Sequence, residues 1–292
     1  MCGIVGYIGR RDDVAPLLLE GLQRLEYRGY DSAGIAIHGK SGSKSTGLKS
    51  VKAKGRVRDL EAKVPARFKG SVGIAHTRWA THGAPNDENA HPHLDADSKV
   101  AVVHNGIFDN ASDLRARLTA DGVVFLSETD TEVLAHLIGR SGADSLEGKV
   151  REAVGQIEGT YGVAVLHADF PDRIVVARNG SPVVLGIGEK EMFVASDVAA
   201  LVSHTRQVVT LDDGEMATLK ADDFRTYTTE ARAPPPRPPR WSTRPSPGTW
   251  AATTRTCTRR SSSRPRRSTA CCAAASTTGS PPCTSRPQPR RP

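Results

Sequence analysis

Three observations predict that this 292-residue chain is an α+β domain over residues 1–230, followed by a disordered tail over 231–292. Several short runs are apolar on both faces, as strands covered from two sides must be. Helical patterns are interspersed among these runs without strict β–α–β alternation, which favours layered α+β over a doubly wound parallel sheet. Composition changes sharply at Ala231. Beyond it lie 13 arginines, 13 of the 19 prolines and four of the five cysteines, with no acidic residue and no Leu, Ile, Val, Met, Phe or Tyr. Such a segment cannot bury enough apolar surface to offset the ordering of its backbone.

The elements follow in order. Gly3–Ile8 reads as a strand, and Asp12 and Asp13 as caps of a helix whose Leu18, Leu19, Leu22 and Leu25 share one face. Ala33–Ile37, Ser71–Ala75 and Lys99–Val103 read as strands. Asn110 to Ala120 reads as an amphipathic helix closed by Gly122, with Val123–Leu126 as a strand after it. Thr131–Ile138 and Leu146–Ile157 read as helices. Strands then dominate: Tyr161–Leu166, Arg173–Ala177, Pro182–Ile187, Met192–Ala195 and Val208–Ala217, with turn signals at Gly180-Ser181-Pro182 and Asp212-Asp213-Gly214.

Charge separates along the same boundary. The chain carries +8 overall, yet the first 230 residues carry −5, so the basic pI belongs to the tail. A nucleic-acid partner would have to use that tail, which has little aromatic interleaving beyond Trp241 and Trp250. No apolar run approaches 18 residues and no leader pattern opens the chain, so no membrane association is expected and a cytoplasmic location is. A single cysteine in the body excludes an internal disulfide framework there. The absence of a Gly-x-Gly-x-x-Gly helix start and of a phosphate-cradling loop argues for no nucleotide cofactor.

That single cysteine is Cys2. Removal of Met1 would give it a thiol and a free α-amino group on one carbon, a nucleophile with its own base, since the amine titrates at about 7.7–8.0. Its alternative role is a small apolar residue opening a strand. His76-Thr77-Arg78-Trp79-Ala80-Thr81-His82-Gly83 follows a strand, where binding loops are placed, and Arg78 offers a planar fork for a carboxylate. Asn105 and Gly106 could donate side-chain and backbone N–H groups to an oxyanion, or form a plain turn. Asp130 could cap a helix or hold an ammonium group. His82, His91 and His93 lie close together, but no cysteine or carboxylate stands at zinc spacing, so no metal is expected.

Together these segments resemble the glutaminase domain of the N-terminal-nucleophile (class II) glutamine amidotransferases, and within that family the branch that aminates fructose 6-phosphate. The resemblance runs from Cys2 to about Thr229. It is carried by Cys2-Gly3-Ile4-Val5-Gly6, Leu25-Glu26-Tyr27-Arg28-Gly29-Tyr30-Asp31-Ser32-Ala33-Gly34, the His76–Gly83 segment, Asn89-Ala90-His91-Pro92-His93, Val103-His104-Asn105-Gly106 and Ser127-Glu128-Thr129-Asp130-Thr131-Glu132. It implies an αββα sandwich and glutamine as substrate, with no cofactor. Cys2 would be the nucleophile and Asn105 and Gly106 the oxyanion hole. Arg78 would bind the substrate α-carboxylate and Asp130 its α-ammonium, with Arg28, Thr81 and His82 completing the substrate site and Trp79 on a closing flap.

Family members continue into sugar-isomerase domains that bind fructose 6-phosphate and carry most of the dimer contact. Here the Arg/Pro-rich tail stands in their place, which suggests a shifted reading frame. With freely chosen codons, Thr249 to Ser261 read from the third base give Met-Gly-Gly-His-Asp-Thr-Tyr-Met-His-Lys-Glu-Ile, similar to the family's entry into its isomerase half. Such a chain is expected to hydrolyse glutamine but not to make the amino sugar.

Overall fold

A computed structural model describes residues 2–41, 44–80 and 83–230. The tail over 231–292, and with it the expected domain boundary and its frame-shifted origin, lies outside the described residues, as do Thr81 and His82. The elements are β1 (Gly3–Ile8), α1 (Ala15–Leu25), β2 (Ser32–Ser41), β3 (Lys44–Lys54), α2 (Val57–Lys63), β4 (Val72–Arg78), β5 (His93–Leu94) and β6 (Val100–Phe108). There follow α3 (Ala111–Ala120), α4 (Asp130–Arg140), α5 (Leu146–Val154), β7 (Gly159–His167), β8 (Ile174–Asn179) and β9 (Val184–Ile187). The last are β10 (Met192–Ala195), β11 (Gln207–Thr210), β12 (Glu215–Leu219) and β13 (Phe224–Thr228).

Two antiparallel sheets result. One runs β11-β9-β10-β1-β4-β2-β3 and the other β13-β12-β8-β7-β6-β5. Strand periodicity explains the runs that are apolar on both faces. In β1, Val5 and Tyr7 pack against α1, while Ile4 and Ile8 join the layer between the sheets. In β6, Val100 and Val102 pack with α4 and α5, while Ala101 and Val103 face inward to the other sheet. The layers are therefore helix, sheet, sheet, helix. Leu18, Leu22 and Leu25 of α1 are fully buried, each worth about 2 kcal/mol of apolar burial as an upper figure.

Three expectations need correction. Asp12 and Asp13 do not cap α1: the helix begins after Val14 with Pro16 in its first turn, and Asp13 instead bridges to Gly70. Val123–Leu126 is not a strand, since no neighbour pairs with it. Arg115 lies over the Phe125 ring at 4.1 Å, Glu132 takes the Leu126 N–H at 2.7 Å, and Leu126 remains 81% exposed. Val208–Ala217 divides at its Asp-Asp-Gly turn into β11 and β12, which belong to different sheets. The edge strand β3 and the short helix α2 gave no apolar run to read: β3 sets the isolated apolar residues Leu48 and Val51 among lysines and small residues, beside a single neighbour, β2.

Candidate active site

Antiparallel pairing of β1 with β4 puts Gly3 opposite Thr77, so the residue before β1 lies beside the end of β4. Cys2 is held there from both sides. Its Sγ accepts from the Trp79 N–H at 3.3 Å and its thiol faces the Trp79 carbonyl at 3.7 Å. Its carbonyl oxygen accepts from Arg28 Nε at 3.1 Å and from Asn105 Nδ2 at 3.2 Å. Burial pushes the thiol pKa up, against the opposing pull of the Trp79 N–H and the Arg78 charge. A thiol so held needs a base to become a nucleophile.

A cavity of about 30 Å³ opens between Cys2, Arg78, Trp79, Gly106 and Asp130. Arg78, only 4% exposed, donates weakly to the carbonyls of Ala84 and Gly83 at 3.4 and 3.5 Å. Those carbonyls flank the loop that Asn89 ties to Glu128: Asn89 Nδ2 donates to Ala84 O and to Glu128 Oε2, each at 3.0 Å. Trp79 is exposed and meets Tyr30 edge-on at 5.4 Å. Arg28, expected at the substrate site, pairs instead with Asp197 at 2.9 Å and donates to the Cys2 carbonyl, outside the lining of the cavity.

Asn105 and Gly106 do not form a turn. Both lie within β6, paired with Gly162 and Tyr161 of β7. Gly106 has φ +138°, and a Cβ there would lie 2.0 Å from the Thr160 carbonyl oxygen, so no other residue fits. Asp130 is the first residue of α4 and does not cap it. Its Oδ2 accepts from the Phe108 N–H at 3.0 Å, which seats its carboxylate against β6 at the cavity.

Behind this wall lies a polar layer whose residues appeared in the sequence segments above but whose roles did not. His91 Nε2 and His104 Nδ1 meet the Thr131 hydroxyl at 2.8 and 2.9 Å, and His93 Nε2 meets Thr129 Oγ1 at 2.9 Å. Burial depresses the pKa of all three rings. Among the described residues no group of three or more His, Cys, Asp or Glu is arranged to hold a metal ion. Glu132 accepts from the N–H groups of Leu126 and Ser127, both at 2.7 Å, and from Ser127 Oγ at 2.6 Å. Burial alone would raise its pKa; His136 and these donors outweigh it and bring it down to about 2. The signal in the sequence was Thr129-x-x-Glu132, the spacing of a capping box, although Glu132 turns to the Leu126 and Ser127 N–H groups instead.

Comparison with known proteins follows the same outline. Residues 63–231 match the family model described as a glutamine amidotransferase domain. The glutamine–fructose-6-phosphate aminotransferase (isomerizing) of Chlorobaculum tepidum is 52% identical over 238 residues, covering 79% of this chain and 38% of that protein. The corresponding protein of Methanosarcina mazei is 46% identical over 243 residues, covering 80% and 38%. This chain therefore spans well under half the length of these relatives. Among solved structures, the glutamine phosphoribosylpyrophosphate amidotransferase of B. subtilis superposes with TM-score 0.68 at 26% identity, over 80% of this chain and 50% of that one. The matches support the amidotransferase reading over a nucleic-acid-binding one. No helix among the described residues is long and apolar enough to cross a membrane. By sequence match and by fold, the chain belongs to the glutamine amidotransferase domain family.

Proposed function

We propose that this chain hydrolyses L-glutamine to glutamate and ammonia through a thioester on Cys2. The observation that carries the reading is the convergence on one small cavity of Cys2, Arg78, Gly106 and Asp130, with Asn105 on the Cys2 backbone. Once Met1 is removed, the α-amino group of Cys2 takes the thiol proton. Sulfur then bonds to the side-chain amide carbon of glutamine, and the carbonyl π electrons move to oxygen. Asn105 Nδ2 and the Gly106 N–H donate to that oxyanion, a term worth about 10²–10³ in rate per donor. Collapse breaks the carbon–nitrogen bond as the α-ammonium returns its proton to the leaving amine. Water, deprotonated by the same amine, cleaves the thioester and releases glutamate.

Arg78 holds the substrate α-carboxylate and Asp130 its α-ammonium. By the resemblance, Thr81 and His82 contribute to substrate binding, and Trp79 closes over the site. The relatives are named for fructose 6-phosphate as well as glutamine, but most of their length lies beyond this chain. We expect no amino sugar from this chain alone, a cytoplasmic setting and no nucleic-acid role. The test is ammonia release from glutamine by the purified chain, with its N-terminus defined by mass. Cys2→Ala should lower the rate at least about a thousandfold while leaving the circular dichroism unchanged. Full activity in that variant would overturn the reading.

A further inference from the structure

A buried ring that the proposed chemistry does not touch sits directly behind the oxyanion donors. His76 lies in the middle of β4, opposite Ile4 of β1 and Gly34 of β2, and is fully buried. Its Nε2 is 3.1 Å from Asn105 Oδ1 and 3.0 Å from the His104 carbonyl oxygen. Its Nδ1 has no hydrogen-bond partner. Two acceptors facing one nitrogen require that nitrogen to carry the proton. The other tautomer would set a lone pair against two oxygens and bury an unmade N–H. Burial also brings its pKa down to about 3, with His104 and Arg78 as the repelling neighbours and the His91 ring 4.1 Å away, so the ring is neutral.

A side-chain amide has two ends of nearly equal shape, and which end faces the site decides whether it donates or repels. We infer that His76 is a positioning residue that fixes the orientation of the Asn105 amide: its Nε2–H takes Oδ1, which forces Nδ2 toward Cys2. A flipped amide would set its NH₂ against the Nε2–H and turn an oxygen toward the developing oxyanion. The same donor tethers the His104 carbonyl, so one ring joins β4 of the seven-stranded sheet to β6 of the six-stranded sheet at the site. His76 touches neither substrate nor thiol in this account; it acts through Asn105.

The inference rests on the glutaminase reading for its consequence but not for its geometry, and the experiment separates the two. Selective ¹⁵N NMR of His76 in the full chain should show the neutral Nε2–H tautomer; a Nδ1–H tautomer or a charged ring overturns the inference whether or not the chain is active. In steady-state glutamine hydrolysis, His76→Leu should lower kcat about 10- to 100-fold with KM within about twofold, because only a transition-state interaction is lost. His76→Gln, whose amide N–H can occupy the Nε2 position, should recover most of that loss. In the Asn105→Ala background, His76→Leu should cost no further activity. Equal losses in both backgrounds would make His76 merely structural and refute the inference. An inactive wild-type chain with the Nε2–H tautomer would instead refute the glutaminase reading.

Discussion

The two walls of the cavity are built on opposite terms. The wall from the seven-stranded sheet carries Cys2, Arg78 and Trp79, with exposed aromatic groups and carbonyl contacts at 3.4–3.5 Å. The wall from the six-stranded sheet and α4 carries Asn105, Gly106 and Asp130, backed by histidine–threonine contacts at 2.8–2.9 Å and by a buried Glu132. The first holds Cys2 through its backbone and sulfur but leaves Trp79 exposed and gives Arg78 only long contacts. The second carries short buried hydrogen bonds behind Asn105, Gly106 and Asp130. Preorganisation of this kind costs nothing at the moment of reaction and suits the oxyanion side of the proposed chemistry.

Substitutions running from the second wall out to the exposed surface test that contrast. Asp130→Asn should have the largest effect. It removes the charge proposed to meet the substrate ammonium but leaves an acceptor for the Phe108 N–H, so kcat/KM should fall about 100-fold, chiefly through KM. A loss confined to kcat would count against an ammonium-binding role. Next comes Glu132→Gln, which should destabilise the chain by about 2–3 kcal/mol at pH 7 because three donors lose their carboxylate. The sign with pH follows from a depressed carboxylate. Its stabilisation is fully present above the ordinary glutamate range and is lost as pH falls toward about 2. Denaturant unfolding should therefore show wild type and variant converging between about pH 4.3 and 2; a constant gap would mean that packing, not charge, is responsible. The smallest effect is expected on the loop side. Lys63 meets Asp87 at 2.6 Å with both side chains about half exposed, and Lys63→Ala should cost under about 1 kcal/mol in the same assay.

Much of the fold was legible because burial on two faces writes a strong signal. The runs of β1, β2, β4, β6 and β7 each pack into two layers, and their apolar content shows it. What escaped was polar or local. The segment over 123–126 carries strand-forming residues but has no partner, and Arg115 and Glu132 hold it as a loop. Asp12 and Asp13 fit a cap by position, yet the chain spends Asp13 on a bridge to Gly70. At the site, Asn105-Gly106 fitted a turn as well as a donor pair. Only pairing with β7 excludes the turn.

The sequence by itself determined which groups are available: one cysteine in the body, at position 2, and the segments around Arg78, Asn105 and Asp130 that suit an α-amino-acid amide. It also separated an acidic foldable body from a basic tail, since charge and apolar content need no structure to be counted. Tertiary structure decided how those groups face one another. Cys2 and those three segments, separated by some 25 to 75 residues along the chain, converge because β1 pairs with β4 and the two sheets pack face to face. The orientation of a single amide, with its oxygen on His76 and its nitrogen toward Cys2, depends on a contact across those sheets. No local pattern encodes that contact, because hydrogen-bond direction is set by the partner that the fold delivers.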